Sequence, residues 1–514
     1  MRRPALLAHL RTTPCWDVLV IGGGATGLGC AVDAAARGHL TLLLEAHDFA
    51  KGTSSRSTKL IHGGVRYLAQ GRIGLVREAL AERSILLANA PHLVHPQRFV
   101  VPVYRQWDRL MLGVGLTAYD WLAGRHSLGP SRLLSPADTL AALPGVRREG
   151  LVGGIAYQDA RFDDARLAIS LMRTVFDLGG LALNYLPVTG LRHAAGRISG
   201  VDARDAETGE VFAIEAKAII NAAGVWADEV RRLDNPESPA QLAPSQGAHL
   251  VIDRDFLPAD TALLIPQTPD GRVLFAIPWQ GKVLLGTTDT PRRDTPLEPL
   301  PLDEEVDFIL ATAGRYLSRP PTRADVRSGF AGLRPLIGAD QNGSTAALSR
   351  EHVIRTSPTG LVSVAGGKWT TYRHMARQIV DQAEAVARLP RRPSPTATLH
   401  LHGATADPTD DVLGTDRPLA DALPGAGVSL HPRLTLTEAE LRHAVRFELA
   451  RDVEDILARR HRALFIDARA AIEAAEAVAA IVADELGWSD ERRRERTKAF
   501  HQLAEGFCVK QAVA

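Results

Sequence analysis

Three glycines and one acid carry the first recognisable chemistry. In Val18-Leu-Val-Ile-Gly-Gly-Gly-Ala-Thr-Gly-Leu-Gly-Cys-Ala31, Gly22, Gly24 and Gly27 follow an apolar run, and Leu42-Leu-Leu-Glu45 then ends on a carboxylate. The spacing predicts strand, glycine turn, helix and second strand, the arrangement that binds a dinucleotide. Gly22 supplies the tight turn, Gly24 lets backbone approach a pyrophosphate, and Gly27 lets the helix pack on the strand. The helix N-terminus turns N–H groups and a positive dipole end toward the phosphates. Glu45 is placed to accept from the adenosine ribose hydroxyls, which argues against a 2′-phosphate there.

The next run, Gly52-Thr-Ser-Ser-Arg-Ser-Thr-Lys-Leu-Ile-His-Gly-Gly-Val-Arg-Tyr-Leu68, is not core material. Its hydroxyls and N–H groups suit phosphate oxygens and the edge of a polar ring. Gly63 and Gly64 permit close backbone approach to something flat. Further on, Leu361-Val-Ser-Val-Ala-Gly-Gly-Lys-Trp-Thr-Thr371 reads as a strand and Gly-Gly turn, followed by helical spacing over Tyr372 to Ala387. That puts Gly366 to Thr371 at a helix N-terminus, suited to anionic or electron-rich atoms. His249, in Gly247-Ala-His-Leu-Val-Ile252, sits on a strand; by spacing alone it is more readily structural than catalytic.

These groups need elements to hold them. Val211 to Asn221 is strand-like and runs into the small-residue turn Ala222-Ala-Gly-Val-Trp226. Leu263-Leu-Ile, Arg272 to Trp279 and Lys282 to Thr288 read as an antiparallel meander, with turns at Pro269-Asp-Gly271 and Gln280-Gly281. Dinucleotide sheets are mainly parallel, so this is expected to be a separate substrate sheet. Arg391 to Thr396 and Asp407 to Asp410 mark a linker. Thr437-Glu-Ala-Glu440 is a capping box opening a helix with Leu441, Val445, Leu449, Val453 and Ile456 on one face. A second helix follows around Ile472 to Val482, and a third begins at Asp490. No catalytic constellation is read here; packing or assembly is the expected role.

The 514 residues suggest two to four structural units, and the net charge of +1 gives no sign of a nucleic-acid surface. Three cysteines, Cys15, Cys30 and Cys508, are too few and scattered for a metal cluster or a disulfide framework. The longest apolar run, Leu110 to Tyr119, is too short to span a membrane. The segment from Met1 to Arg11 lacks a signal peptide's long apolar region, and a short amphipathic helix packed on the protein is expected, with contact at a membrane surface as the alternative.

The run Ser54 to Leu68 resembles the signature of FAD-dependent glycerol-3-phosphate dehydrogenases, within the D-amino-acid-oxidase-like flavoprotein group. The resemblance continues in order through Asp163-Asp-Ala-Arg166, Asn221 to Trp226, Gly286-Thr-Thr-Asp289, Gly332-Leu-Arg-Pro335, Gly366 to Arg373 and Ala458 to Ala468. It implies an α/β fold: a Rossmann-like FAD-binding domain with an inserted antiparallel substrate sheet, plus a C-terminal helical domain. The implied division is 16–390 for the oxidoreductase domain, 391–411 for the linker and 412–514 for the helical domain. Within the first, nucleotide-binding parts are expected near 16–90, 150–240 and 325–390, and substrate parts near 91–149 and 241–324. The FAD contacts implied are Gly22, Gly24, Gly27, Glu45, Thr53, Ser54, Ser55, Lys59, His62, Gly63, Gly64, Val188, Ala223, Gly224, Gly367, Lys368, Trp369 and Thr370. Relatives usually carry a smaller aliphatic residue where Trp369 stands.

The implied substrate, sn-glycerol 3-phosphate, carries close to two negative charges at pH 7. One charge pair at about 4 Å is worth about 4 kcal/mol at an effective dielectric near 20, so two or three cations are needed against desolvation. Arg66, Arg334 and Lys368 are the candidates, with Tyr67 and Thr287 as further contacts. Hydride transfer to FAD would give dihydroxyacetone phosphate, with His249 the first choice of base, His62 the second, and Arg334 beside them. The resemblance further implies electron transfer to a membrane quinone, hence peripheral contact with the inner face of the cytoplasmic membrane by an otherwise cytoplasmic protein. A glycerol-3-phosphate oxidase using O2, a non-enzymatic dinucleotide sensor and a homodimer stay open as alternatives. No metal is expected.

Overall fold

In the computed structural model, residues 3–64, 71–266, 268, 271–338, 352–406 and 411–511 are described. Two sheets share the work of building a cleft. The first is a parallel core in the order Val353–Thr356, Val362–Ala365, Val211–Asn221, Trp16–Ile21, Thr41–Leu44, Leu181–Leu183, with only the Val353–Thr356 edge antiparallel. A hairpin of Val188–Ala194 and Arg197–Arg204 joins it through the first half of Val211–Asn221. The Trp16–Ile21 strand is almost wholly buried, as a central parallel strand must be, which is why it reads as a continuous apolar run.

Helix Ala25–Ala36 leaves that strand at the glycine turn and packs with Asp164–Asp177 and Tyr372–Ala387 in one apolar cluster. Cys30 is a buried packing residue there. The last of these helices spans the residues the periodicity predicts. Trp369 lies in the same cluster, edge-on to Phe162 and Tyr372, and its indole N–H donates to the Ser54 carbonyl at 2.9 Å. The large residue at this position is thus absorbed by the core and used to tie down the loop after Glu45.

The second sheet has ten strands in one mixed, mainly antiparallel array. The expected meander is present: Ala262–Ile265 pairs Leu274–Trp279, which pairs Lys282–Gly286. The next partner is the long strand Leu242–Asp253, with His249 opposite Gly286 on one side and Phe330 of Val326–Ile337 on the other. Strands Leu60–Ile61, Gly153–Phe162 and Val326–Ile337, counted from sequence with the nucleotide parts, pair into this second sheet. The chain therefore passes between the sheets more often than a single insertion would require.

The C-terminal residues form helices Glu438–Phe447, Ala468–Leu486 and Asp490–Glu505, joined by a π-helical turn over Asp455–Arg460. The Thr437–Glu440 capping box is formed. Its helix stops at Phe447 rather than continuing to Ile456. Leu449 takes a left-handed φ of 55°, and Asp455 then accepts from the N–H groups of Arg451 and Asp452, starting a new turn. The region read as a linker is fastened along its described length: Ser394 and Thr396 bond Asp33, and Arg392 donates to the Arg37 carbonyl at 2.6 Å. The N-terminal helix Arg3–Thr12 packs as expected, with Leu7 and Leu10 buried and Arg3 paired to Asp205 at 2.8 Å.

Candidate active site

A cleft of about 1050 Å³ runs between the two sheets, from Glu45 and Val188 at one end to His249, Asp289 and Arg334 at the other. Its floor is the first glycine turn. Gly22 has φ +110°, and a Cβ there would lie 2.7 Å from the Ala222 carbonyl oxygen, so only glycine fits. Gly24 stands before the first turn of the helix, and the Ser54 hydroxyl accepts from the Ala25 N–H at 2.9 Å. Glu45 lines the cleft with its two oxygens held by the N–H groups of Gly23 at 2.6 Å and His47 at 2.8 Å. Burial raises its carboxyl above the ordinary range despite those two donors.

At the other end His249 is 2% exposed and stacks on Phe330 with ring centres 5.1 Å apart. Its Nε2 is 3.0 Å from the Thr58 hydroxyl, and its Nδ1 is buried with no hydrogen-bond partner. A Cβ on Gly286 would come within 2.3 Å of His249 Cδ2, so the missing side chain is what leaves space for the imidazole. Burial, then the cations Lys59 and Arg334, hold this imidazole neutral, well below its usual titration range.

Arg334 extends over the space left by Gly247, where a Cβ would be 2.1 Å from Nη2. It donates to Gln246 O, Asp289 Oδ1, Thr287 Oγ1 and Thr288 O at 2.8 to 3.2 Å. Asp289 is also 3.4 Å from Arg272. Two guanidiniums thus converge on one carboxylate at this end of the cleft, and the planar forks are aimed by backbone carbonyls rather than left to swing. Asp289 and Arg272 were not singled out from sequence. The acid closing Gly286-Thr-Thr-Asp289, beside a strand end, was the available signal.

Thr53, Ser54, His62, Gly64, Val188, Ala223, Gly224, Thr287, Gly367, Lys368, Trp369 and Thr370 all line the cleft together with Gly22, Gly24 and Glu45. His62 sits edge-on to Phe275 at 6.3 Å, and its N–H reaches the Thr370 hydroxyl at 3.4 Å. Arg66 and Tyr67 lie outside the described residues. Four expected cofactor contacts stand behind the cleft wall. Gly27 faces the Gly22 carbonyl, 1.9 Å from where a Cβ would be, which is the close packing its spacing predicts. The Gly63 N–H donates to Tyr119 Oη at 3.0 Å. Ser55 and Lys59 are buried, with the Lys59 ammonium on the Ser55 carbonyl at 2.9 Å and Asp164 at 2.6 Å. Burial pushes that ammonium down to about 8 against the pull of Asp164. Lys59 thus turns away from the cleft, which Thr53, Ser54 and Thr58 of the same loop line.

Residues 17–373 match the family model described as FAD dependent oxidoreductase, and 334–493 match that of the C-terminal domain of alpha-glycerophosphate oxidase. The chain is 38% identical to the mitochondrial glycerol-3-phosphate dehydrogenase of Macaca fascicularis over 537 residues, covering 96% of this chain and 74% of that protein. It is 36% identical to the mitochondrial enzyme of Saccharomyces cerevisiae, covering 96% and 89%. Among solved structures, glycerol-3-phosphate dehydrogenase from Bacillus halodurans complexed with FAD superposes with a TM-score of 0.79 at 31% identity, covering 100% of this chain and 98% of that one.

Proposed function

Because this chain belongs to the FAD-dependent glycerol-3-phosphate dehydrogenase family, we propose that it oxidises sn-glycerol 3-phosphate to dihydroxyacetone phosphate and delivers the electrons to a membrane quinone. The observation that carries the reading is the pairing, in one cleft, of a dinucleotide cradle with a guanidinium cluster beside a neutral histidine. The cradle fits FAD: Gly22 lets the turn close against the Ala222 carbonyl at the cleft floor, Glu45 offers ribose acceptors, and Ala222 to Gly224 and Gly366 to Gly367 are small enough for backbone to approach a ring. FAD, when bound, supplies the two-electron acceptor.

The rest falls to side chains. Arg334, steadied by the Thr287 hydroxyl that accepts from it and with Arg272 near it, holds the phosphate, and Lys368 adds a further donor to the same cleft. The Thr58 hydroxyl, which lines the cleft 3.0 Å from His249 Nε2, takes up the proton of the substrate's C2 hydroxyl as it gives its own to that nitrogen. The resting imidazole is neutral and so able to accept. A phosphate dianion arriving at Arg334 offsets the cations that depress its basicity. His62, on the opposite wall beside Phe275, orients the substrate.

Contact with a membrane is assigned to the helix Gln106–Ala123. Its inner face buries Leu116, Tyr119 and Ala123, and Leu112 reaches the cleft. Its outer face exposes Leu110 and Met111, with Trp107 68% and Trp121 75% exposed near the two ends. Arg77, Arg105, Arg125 and Arg132 are exposed around it. Tryptophans at an interface with a basic rim suit an anionic lipid surface. No described helix is long and apolar enough to cross a membrane.

The deciding experiment is anaerobic titration of the yellow holoprotein with sn-glycerol 3-phosphate. Bleaching of the visible flavin band by this compound, but not by glycerol or the opposite enantiomer, is expected. A flavin that stays oxidised would sink the substrate assignment. Oxygen uptake that matches turnover without added quinone would sink the acceptor assignment.

A further inference from the structure

The C-terminal helical region reaches back into the cleft wall through three arginines, Arg459 and Arg460 at the end of the π-helical turn and Arg462 just after it. Arg459 Nε lies 2.5 Å from Asp48 Oδ2, and Arg460 binds both oxygens of Asp48 at 2.5 and 2.9 Å. Asp48 belongs to the segment that carries Glu45 and His47. Arg462 Nη2 donates to the Ser55 carbonyl at 2.6 Å, an acceptor it shares with Lys59 Nζ at 2.9 Å. The same guanidinium is 3.4 Å from Asp164 Oδ1, while Asp164 Oδ2 accepts from Lys59 at 2.6 Å and from the Ser57 N–H and hydroxyl at 3.0 and 2.7 Å.

Lys59 and Arg462 are 0% and 1% exposed. Two cations and one carboxylate removed from water are costly, and burying them is not by itself a source of stability. What the set does accomplish is geometric. It fixes the outer, carbonyl side of Thr53 to Lys59, whose inner side lines the cleft. From that inner side Ser54 caps the dinucleotide helix at the Ala25 N–H and Thr58 holds His249 Nε2. A guanidinium is suited to this because its rigid fork also donates to the Ala458 carbonyl at 2.6 Å, so its own direction is set.

We propose that Arg462, acting with Lys59 and Asp164, is a positioning residue for the flavin-facing loop Thr53–Thr58 and, through Thr58, for the proton-accepting atom of His249. The C-terminal region is then a working part of the active site and not only a packing module. The proposal rests on the functional reading above. Its first readout, cofactor affinity of the apoprotein, is independent of that reading.

The test compares Arg462→Met and Arg462→Lys with the wild type, using Arg493→Gln as a control, since Arg493 pairs with Glu476 at the surface of the same region. Flavin-fluorescence quenching on refilling the apoprotein gives FAD affinity; steady-state kinetics at saturating FAD give kcat, KM and their pH profiles. For Arg462→Met we expect FAD affinity and kcat each to fall at least tenfold. KM should change less than threefold, and the pH profile of kcat should shift as Thr58 lets go of His249. Arg462→Lys should recover part of the affinity, and Arg493→Gln should match the wild type. Wild-type affinity, kcat and pH profile in folded Arg462→Met would overturn the proposal. If that variant does not fold, Arg462→Lys and Ser57→Ala decide in its place, and wild-type FAD affinity in both overturns it. A wild-type holoprotein that substrate fails to reduce would defeat the functional reading while leaving the affinity comparison intact.

Discussion

Thr58 and His249 join a loop to a strand: the Thr58 hydroxyl, on the loop after the dinucleotide unit, lies 3.0 Å from His249 Nε2 on the long antiparallel strand. The base is thereby referenced to the cofactor loop as well as to Phe330 of its own sheet. Replacing His249 by Gln is expected to lower kcat by about 10² to 10⁴-fold, the usual range for a lost general base. Absorbance should show FAD still bound. Thr58→Val should cost less, about tenfold. A His249→Gln enzyme with wild-type kcat would clear His249 of the role.

Arg334 and Asp289 form the other half of the site, 3.2 Å apart. Arg334→Ala is expected to raise the KM for sn-glycerol 3-phosphate about a hundredfold, on the order of 2–3 kcal/mol for hydrogen bonds to a charged group. FAD content should not change. Inhibition by inorganic phosphate should weaken in parallel, and an unaltered KM would remove Arg334 from the phosphate site.

Two glycines separate these roles without replacing His249 or Arg334. Gly286→Ala places a Cβ 2.3 Å from the His249 ring, and Gly247→Ala places one 2.1 Å from the Arg334 fork. The first should lower kcat with a modest change in KM, and the second should raise KM with a modest change in kcat, each by about tenfold or more. Steady-state kinetics on the two variants check the split, and the same pattern in both would contradict it.

A pH effect on stability should arise far from the cleft. His402 lies between Asp177 at 2.8 Å and Asp416 at 3.0 Å. Burial alone would lower its titration, but these two hydrogen-bonded carboxylates raise it to about 9. The folded state therefore keeps a proton that the unfolded state releases near 6.5. The stabilisation is complete below that pH and disappears as pH rises through about 9. Partial exposure brings it to about 1–2 kcal/mol. Denaturant melts should show His402→Gln less stable than wild type at pH 6 and equal to it at pH 10; equal stability at both would refute the pairing.

The exposed face of Gln106–Ala123 makes a prediction about lipid. Trp107→Ser with Trp121→Ser should reduce sedimentation with anionic vesicles at least tenfold, while reduction of the flavin by substrate in solution is unchanged. Raising the salt concentration should weaken wild-type binding as the basic rim is screened. Retained vesicle binding in the double variant would move the contact elsewhere.

The parallel sheet was readable because its glycines and apolar strands obey local rules: the Gly22 turn and the Tyr372–Ala387 helix stand where their spacing puts them. Residue roles that depend on direction were not. Lys59 sits in the same hydroxyl-rich run as Thr53 and Ser54, and sequence cannot say that its side chain turns inward to Asp164. Arg272 reads as the start of a strand, and its nearness to Asp289 depends on how three strands return. The break at Phe447 was invisible to helical periodicity because Leu449 and Val453 keep their apolar spacing even where the backbone leaves the helix. Contacts between distant segments decided the first two, and a left-handed Leu449 with the Asp455 cap decided the third.

Arg460 grips Asp48 from 412 positions further along the chain, and Arg166 grips Glu448 across 282. Chain closures of that length are slow to form during folding. On the ribosome the glycine turn emerges early and can fold as a local unit, yet the wall behind it has to wait for nearly the whole polypeptide. Premature termination between Ala387 and Arg462 would therefore yield a nucleotide fold with a loose rim, and flavin uptake would report completed synthesis.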